Sequence, residues 1–303
     1  LDSILGESNW PPNCSHEAAR AHFVANLSAL GIDQEEARRE AELAFQHVTK
    51  MAAHELLLNA KALLPDEHAA ALSEILDQRR QRRPLQYALG EAYFCGLKFA
   101  VGPGVLIPRS DTETIVVAAA EYIKSKKTVT LLEVGPGSGA IVVTLLKQFP
   151  RLVATAFEVS PPAAHFCRVN AICHGVAERL TLIEEDYLEG LAKLAPSNRF
   201  ELFISNPPYI PIDVAASLAP EVIGHEPRLA LLGGGPDGMS FYRNFAKLLP
   251  SLGATAHAAL MVEFGDGQAS GVRALFEEAG WCDLRLLNDL GGRPRVLTSS
   301  GCK

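Results

Sequence analysis

The feature that most constrains this chain is a glycine-rich turn set between an apolar strand and a helix. Val129–Val134 reads as a strand, and Glu133-Val134-Gly135-Pro136-Gly137-Ser138-Gly139-Ala140 follows its apolar run and opens a helical pattern. Glycines there let the backbone turn sharply and approach a ligand closely, while the helix start offers free N–H groups. Further candidate strands at Val153–Glu158, Leu180–Glu184, Phe200–Ser205, Ala256–Phe264, Trp281–Leu287 and Val296–Thr298 alternate with helical stretches. This alternation predicts an α/β fold with a doubly wound, mostly parallel sheet of seven strands. Ligands bind such sheets at the carboxyl ends of the strands.

Residues 1–83 have a different texture. Asp33 with Glu36 starts a helix whose apolar positions are Ala37, Ala41, Ala44, Phe45 and Val48. A second amphipathic stretch covers Met51–Leu64, and Asp66 after Pro65 caps a third with Ala70, Ile75 and Leu76 among its apolar positions. Gly31 stands where a helix-terminating glycine would. A small helical bundle is expected over 1–83, then a connector over 84–110 whose Tyr93-Phe94, Gly96 and Leu97–Val101 suggest a hairpin. The sheet domain is expected over 111–303. Arg79, Arg80, Arg82 and Arg83 read as favourable charge at a helix end plus solvated surface. Cys167 and Cys173 read as packed thiols, and His225 as a packing or hydrogen-bonding residue.

Of the 303 residues, 48% are hydrophobic and 21% charged, which excludes a mainly disordered chain. The 28 Lys+Arg against 35 Asp+Glu give a net charge of −7, the wrong sign for a protein that coats nucleic acid. Six cysteines without a C-x-x-C pair argue against a zinc ribbon or disulfide scaffold, and no metal site is expected. No apolar run approaches a membrane span; the longest, around Ala256–Val262, is short and contains His257.

Three features carry chemistry. The glycine turn satisfies the dinucleotide pattern G-x-G-x-x-G/A through Gly135, Gly137 and Ala140, so a nicotinamide enzyme stays open on that motif alone. Glu158, ending the next strand, can accept from the two hydroxyls of a ribose. Asn206-Pro207-Pro208-Tyr209 then follows the apolar strand at Leu202–Ser205, at the same sheet edge. This tetrad resembles the catalytic motif of S-adenosylmethionine-dependent methyltransferases that act on planar amide or amino nitrogens. Such a nitrogen is a poor nucleophile because its lone pair is delocalised. The Asn206 side-chain oxygen and the Pro207 carbonyl can accept its two N–H bonds and aim it at the methyl group. Pro207 and Pro208 stiffen the loop, and Tyr209 can stack on the flat group. Positioning of this kind needs no covalent intermediate.

The resemblance narrows on the flanking residues. Arg83-Pro84-Leu85-Gln86-Tyr87, Leu89-Gly90, Phe94, Gly96-Leu97 and Val105–Glu113 look like the linker of the release factor glutamine methyltransferases, the HemK/PrmC family. Glu226-Pro227, Ala230-Leu231, Gly234, Asp237-Gly238, Tyr242 and Gly292–Val296 are similar to it as well. The resemblance implies methylation of the side-chain N5 of the glutamine in the Gly-Gly-Gln motif of class 1 peptide chain release factors. S-adenosyl-L-methionine would be the donor, S-adenosyl-L-homocysteine the product, and the helical bundle the substrate-recognition part. By position, Gly135, Pro136, Gly137, Ser138, Gly139 and Glu158 would hold the donor's methionine part and ribose. Asp186 and Tyr187 would lie beside its adenine. Asn206, Pro207, Pro208 and Tyr209 would bind the glutamine amide, with Asn206 also close to the donor. Arg109 and Thr112 belong to a loop expected to cover the donor and receive no firm role.

Glu133, Pro136 and Glu158 depart from the family's usual residues, which puts donor affinity in doubt. A monomer in a bacterial cytoplasm is expected, with no membrane and no direct nucleic-acid substrate; an organellar setting stays open because the chain starts at Leu1 rather than Met. Three alternatives remain: glutamine methylation of a ribosomal protein, adenine-N6 methylation of DNA, and a catalytically silent docking protein.

Overall fold

The computed structural model describes residues 10, 13–194, 200–248 and 258–301. Ala256 and His257 of the expected fifth sheet strand lie outside these residues, as does Cys302. Contacts divide the chain into two compact units. The first ends at Gly90 and also takes in Pro220–His225; the second holds Glu91–Ala219 and the chain from Glu226 onward.

The first unit is helical, and its caps are local. α1 (His16–Ala29) starts at Ser15, whose hydroxyl accepts from the Ala18 N–H, and stops before Gly31. α2 (Gln34–Thr49) starts at Asp33, whose carboxylate accepts from the Glu35 and Glu36 N–H groups. Ala37, Ala41, Ala44 and Phe45 are buried along it. The Met51–Leu64 stretch is not one helix: α3 spans only Ala53–Leu58. Asn59 turns its side-chain amide back onto the Glu55 carbonyl, and the backbone of 60–64 bonds to the start of α1 instead. The His16 N–H donates to Ala62 O at 3.0 Å, and the Leu64 N–H to Cys14 O at 2.9 Å.

α4 (Asp66–Arg80) follows Pro65, with Asp66 as its first helical residue rather than its cap. Ala70 is exposed; the buried stripe is Leu72, Ile75, Leu76 and Arg79. That i, i+3, i+4, i+7 spacing carries an arginine into the core. Only 2% of Arg79 is exposed, so the solvated-surface expectation fails for this residue. Its Nε donates to Glu40 Oε2 at 2.7 Å and its Nη2 to Glu40 Oε1 at 2.9 Å, a two-pronged pair. Glu221, on α10 (Pro220–His225) of the same unit, accepts from Arg79 at 3.2 Å and from Arg82 at 2.9 Å. His225 on α10 places its Nε2 3.0 Å from Gln81 O. α5 (Leu85–Leu89) closes the unit and ends at Gly90, φ +71°.

The second unit opens on an antiparallel hairpin, β1 (Glu91–Phe94) and β2 (Leu97–Ala100), as the Tyr93–Val101 pattern suggests. Cys95 and Gly96 between them both have positive φ, the two-residue turn whose twist suits a hairpin. Seven strands then build the main sheet: β3 (Thr130–Val134), β4 (Val153–Phe157), β5 (Leu180–Ile183), β6 (Leu202–Ser205), β7 (Ala259–Glu263), β8 (Arg285–Asn288) and β9 (Pro294–Ser299). Their order is β5-β4-β3-β6-β7-β9-β8. β3 to β7 run parallel, and β9 is antiparallel to both β7 and β8. β8 starts later than Trp281 because Asp283 turns through φ +51°, while the Trp281 ring is buried 6.1 Å from Phe203.

Every residue of β6 and β7 is buried, as are four of the five in β3, which is why these strands read as unbroken apolar runs. The covering helices are α6 (Glu113–Lys124), α7 (Ala140–Gln148), α8 (Pro161–Cys173), α9 (Tyr187–Lys193), α11 (Arg228–Leu231), α12 (Ser240–Leu248) and α13 (Ala269–Glu278). On α8, Cys167 is buried but Cys173 is exposed, because six residues turn a helix by about 240° beyond one full turn. Strand order reverses between β3 and β6, so the loops leaving their carboxyl ends part and open a crevice.

Removing one partner of the Arg79–Glu40 pair leaves a buried charge unpaired. Arg79→Ala should destabilise the first unit by about 3–5 kcal/mol. Hydrogen exchange of the α2 and α4 amides in the full chain reads this directly. A change below about 1 kcal/mol would place the pair with ordinary surface ion pairs.

Candidate active site

The crevice is a cleft of about 250 Å³, and the carboxyl ends of β3, β4, β5 and β6 all contribute to it. Gly135, Pro136, Gly137, Ser138, Glu158, Asp186, Tyr187, Asn206 and Pro208 line it, so most of the residues singled out by sequence meet at one place. Gly139, Pro207 and Tyr209 are not in its lining. Gly139 sits at φ +81° as the N-terminal cap of α7, and a Cβ there would stand 3.0 Å from Cys167 Sγ. Pro207 is buried.

The Tyr209 ring lies beside Gly265, just past β7. A Cβ on Gly265 would lie 2.9 Å from that ring, and the Tyr209 hydroxyl donates to Glu263 Oε1 at 3.4 Å. Burial pushes this phenol up from its ordinary value. The Tyr209 carbonyl accepts from Gln268 Nε2 at 2.9 Å. Gly238, at φ +69°, presses against the same carbonyl: a Cβ there would meet Tyr209 O at 2.2 Å, so only glycine fits.

Glu158 does more than end β4. Its Oε2 accepts from the Gly137 N–H at 3.0 Å and its Oε1 from the Ser160 N–H at 2.9 Å. The carboxylate thereby pins the glycine turn to the next strand, and the remaining lone pairs stay available to hydroxyl donors. Burial raises its pKa, while these N–H groups pull it down. The Ser138 carbonyl, on the other side of the turn, accepts from Asn170 Nδ2 at 2.9 Å. Asn170 also exchanges two hydrogen bonds with Ala100 on β2, so one α8 side chain ties hairpin and glycine turn together.

Glu133 lines the cleft with 1% of its surface exposed, and neither carboxylate oxygen has a hydrogen-bond partner. Burial pushes it up to about 8; the Val142 N–H in the first turn of α7 favours the charge without forming a bond of ordinary geometry.

A second wall comes from 104–112. Leu106, Pro108, Arg109 and Thr112 line the cleft, and Glu226 holds that wall in place. Glu226 Oε2 accepts from the Ile107 N–H at 3.0 Å, and its Oε1 pairs with Arg109. Thr112 Oγ1 accepts from Asn206 Nδ2 at 3.0 Å, and Glu263 is pushed up to about 7 by burial.

Asn170, Glu226 and Glu263 had no positioning role in the sequence reading. Asn170 shares the apolar face of Ala163 and Cys167 at helical spacing, and Glu263 is the one charge ending an otherwise apolar strand. Buried polar residues at such positions need partners, and that was the available signal.

An adenosine-bearing sulfonium donor with an amino-acid tail fits this cleft. A Cβ at Gly135 would meet nothing within 4 Å and would occupy cleft space, so glycine keeps room for a ligand close to the backbone. Glu133 supplies an orphaned carboxyl that an ammonium group would satisfy. Tyr187, with its ring 5.2 Å from Phe241, provides a flat apolar wall.

Glu133 gives the ligand-free protein a pH signature. Its value near 8 lies above the ordinary 4.5. Between those limits the unfolded chain releases a proton that the folded chain keeps, so stability falls as pH rises. Glu133→Gln should flatten that fall in urea midpoints measured from pH 5 to 8.5. Equal slopes in both proteins would mean that Glu133 is ionised in the fold.

Comparison with known proteins agrees with this geometry. The family model described as PrmC N-terminal domain matches residues 18–90, and that described as Methyltransferase small domain matches 111–230. A release factor glutamine methyltransferase from Geobacter sulfurreducens is 40% identical over 263 residues, covering 87% of this chain and 89% of that protein. One from Cereibacter sphaeroides is 38% identical over 287 residues, 93% and 97% of the two chains. Among solved structures, the catalytic domain of hMettl16 in complex with MAT2A 3'UTR hairpin 6 aligns with a TM-score of 0.52 at 13% identity. It covers 78% of this chain and 82% of that one, a likeness of fold alone. A seven-stranded sheet with a cleft at its reversal point and relatives matched along almost their whole length lead to one assignment: the chain is a methyltransferase of the release factor glutamine methyltransferase family.

Proposed function

We propose that this enzyme methylates the side-chain N5 of the glutamine in the Gly-Gly-Gln motif of class 1 peptide chain release factors. S-adenosyl-L-methionine is the donor and S-adenosyl-L-homocysteine the product. One observation carries the reading: Asn206 lines the same cleft as the glycine turn, with its Nδ2 committed to Thr112. That leaves Oδ1 as the amide atom available to accept a hydrogen bond from a substrate nitrogen.

When bound, the donor supplies an electrophilic methyl group on a positively charged sulfur. The chain's own residues hold and orient. Glu158 would offer lone pairs to the ribose hydroxyls, Glu133 a carboxyl to the ammonium group, and Asp186 and Tyr187 would lie beside the base. Asn206 Oδ1 and the Pro207 carbonyl accept the two N–H bonds of the glutamine amide and turn its nitrogen toward the methyl carbon. The bound donor would supply the methyl carbon and keep the C–S electron pair on leaving, while Asn206 and Pro207 hold the nitrogen that would gain the methyl group and lose its surplus proton to water. No general base is required, because the alkylated amide nitrogen is strongly acidic until it loses that proton. Glu133 and Glu158 in place of the family's usual residues keep the carboxyl chemistry. Glu158 also reaches back to the Gly137 N–H.

The first unit, α1 to α5 with α10, is in this reading the part that recognises the release factor. Among the described residues no helix is long and apolar enough to cross a membrane.

Transfer of labelled methyl to a purified class 1 release factor tests the proposal. Label should appear on the release factor and vanish when the glutamine of its Gly-Gly-Gln motif is replaced by alanine. Label on ribosomal proteins or on duplex DNA instead would select one of the alternative substrates. Asn206→Ala should lower kcat by about 10²-fold or more while donor affinity changes little, as for other preorganised polar groups. Unchanged turnover in that variant would sink the mechanism.

A further inference from the structure

Gln268 stands at the start of α13, buried, with both ends of its side-chain amide bonded to backbone. Its Oε1 accepts from the Gly265 N–H at 2.9 Å. Its Nε2 donates to the Tyr209 carbonyl at 2.9 Å and to the Asp237 carbonyl at 2.8 Å. A backbone N–H can only donate and a carbonyl can only accept, so these partners leave the amide one orientation. Three loops thereby meet on one side chain: the loop leaving β6, the loop leaving β7 and the Gly233–Gly238 turn before α12. That turn is itself pressed against the loop leaving β6. A Cβ at Gly233 would stand 2.8 Å from Pro208 O, and one at Gly238 2.2 Å from Tyr209 O. The Gly233 N–H donates to Ile210 O at 3.1 Å. Tyr209, Asp237, Gly265 and Gln268 all stand outside the cleft lining.

We propose that Gln268 is a positioning residue for methyl transfer: by fixing the Tyr209 carbonyl, it sets where Asn206 Oδ1 and the Pro207 carbonyl stand for the substrate nitrogen. This rests on the reading of the cleft as an amide-nitrogen methyltransferase site. Asn206 and Tyr209 are joined by two prolines, whose rings fix φ at about −65° and restrict the residue before each. Few soft torsions remain between the two, so a shift at Tyr209 is passed on to Asn206 rather than absorbed. Neither proline has an N–H with which to hold the loop in place. Its anchors lie at its ends: Asn206 Nδ2 on Thr112 Oγ1 at 3.0 Å, and the Gln268 amide on the Tyr209 carbonyl. Without the Gln268 NH₂, the Tyr209 and Asp237 carbonyls lose this donor together, and the loops that carry them are free to part. Transfer by alignment is sensitive to such a change, since a misplacement of about 1 Å can cost about 10²-fold in rate.

Gln268→Met keeps the length and removes every hydrogen bond of the amide. Gln268→Glu keeps the oxygen for Gly265 and replaces the donor by a second oxygen. Both are compared with wild type in methyl transfer to a class 1 release factor and in donor affinity by calorimetry, with each assay kept below the Tm of the variant. At pH 8 both should lower kcat at least tenfold, with donor affinity within about threefold of wild type. The carboxyl introduced by Gln268→Glu is raised by burial and, once protonated, regains one O–H donor. Its kcat relative to wild type should therefore rise as pH falls from 8 to 6, with donor affinity flat in that ratio. Charged groups on the segments packed against Gln268 include Asp237 with Arg243, Asp266 with Arg293 and Arg295, and Glu263. Both proteins share them, so the ratio cancels their titration. A kcat for Gln268→Met within twofold of wild type would overturn the inference. So would donor affinity that falls in step with kcat, or a Gln268→Glu ratio that stays flat from pH 8 to 6. The pH profile decides even if Gln268→Met fails to fold. Wild-type protein that transfers no methyl to the glutamine would overturn the functional reading itself, whereas an active wild type with an indifferent Gln268→Met would overturn only this step.

Discussion

The parallel pairing of β3 with β6 is the contact on which the active cleft depends. Val134 stands opposite Ser205 in that register, and the Ser205 hydroxyl donates to the Val134 carbonyl at 2.8 Å. The residues that follow, Gly135 on one strand and Asn206 on the other, therefore leave the sheet at the same level. Chain connections depart from β3 and β6 in opposite directions across the sheet, so nothing fills the gap between the two loops. A slip of one residue would send every β6 side chain to the opposite face and move Asn206 away from the glycine turn.

Among the carboxyl groups buried around that gap are Glu133, Glu158 and Glu263. Each is costly, because desolvation penalises the charged form. They are settled in different ways. Glu158 is satisfied by two backbone N–H groups, so it serves the fold and remains open to a ligand. Glu263 accepts from the Tyr209 hydroxyl through Oε1, its Oε2 has no hydrogen-bond partner, and the nearby charge of Arg295 favours its ionised form. Glu133 is left without a partner, pushed up to about 8, and awaits one from outside the chain. A fold that keeps such a group in a cleft wall gives up stability where a ligand can restore it.

Much of the sheet was legible because buried parallel strands and glycine turns are local signals. All seven sheet strands lie within the segments expected of them, apart from the last residue of β8 and the outer residues of β9, and the hairpin at Glu91–Ala100 follows from its turn residues. The misreadings share a cause. The Met51–Leu64 stretch had helical composition, but its second half found better hydrogen-bond partners at the start of α1 than in a longer helix. The arginine cluster looked like surface charge because sequence shows the sign of a residue and not its partner. Glu40 is 39 positions away from Arg79 and Glu221 is 142. The hydroxyl of Tyr209 likewise finds its partner, Glu263, 54 positions further along the chain.

What the sequence determined by itself was the order of elements, the placing of the glycine turn and the Asn206–Tyr209 loop after apolar strands, and the likeness to one family. Those follow from periodicity, backbone-permissive residues and short motifs, all of which act within a few residues. Only the tertiary structure decided which atoms those motifs present. Glu158 bonds the glycine turn, Glu226 fixes the wall that carries Arg109, and Thr112 takes the Asn206 NH₂, each across 21 or more positions of chain. Hydrogen-bond partners of buried polar groups are chosen by three-dimensional proximity, and proximity over such separations is set by the packing of the whole sheet.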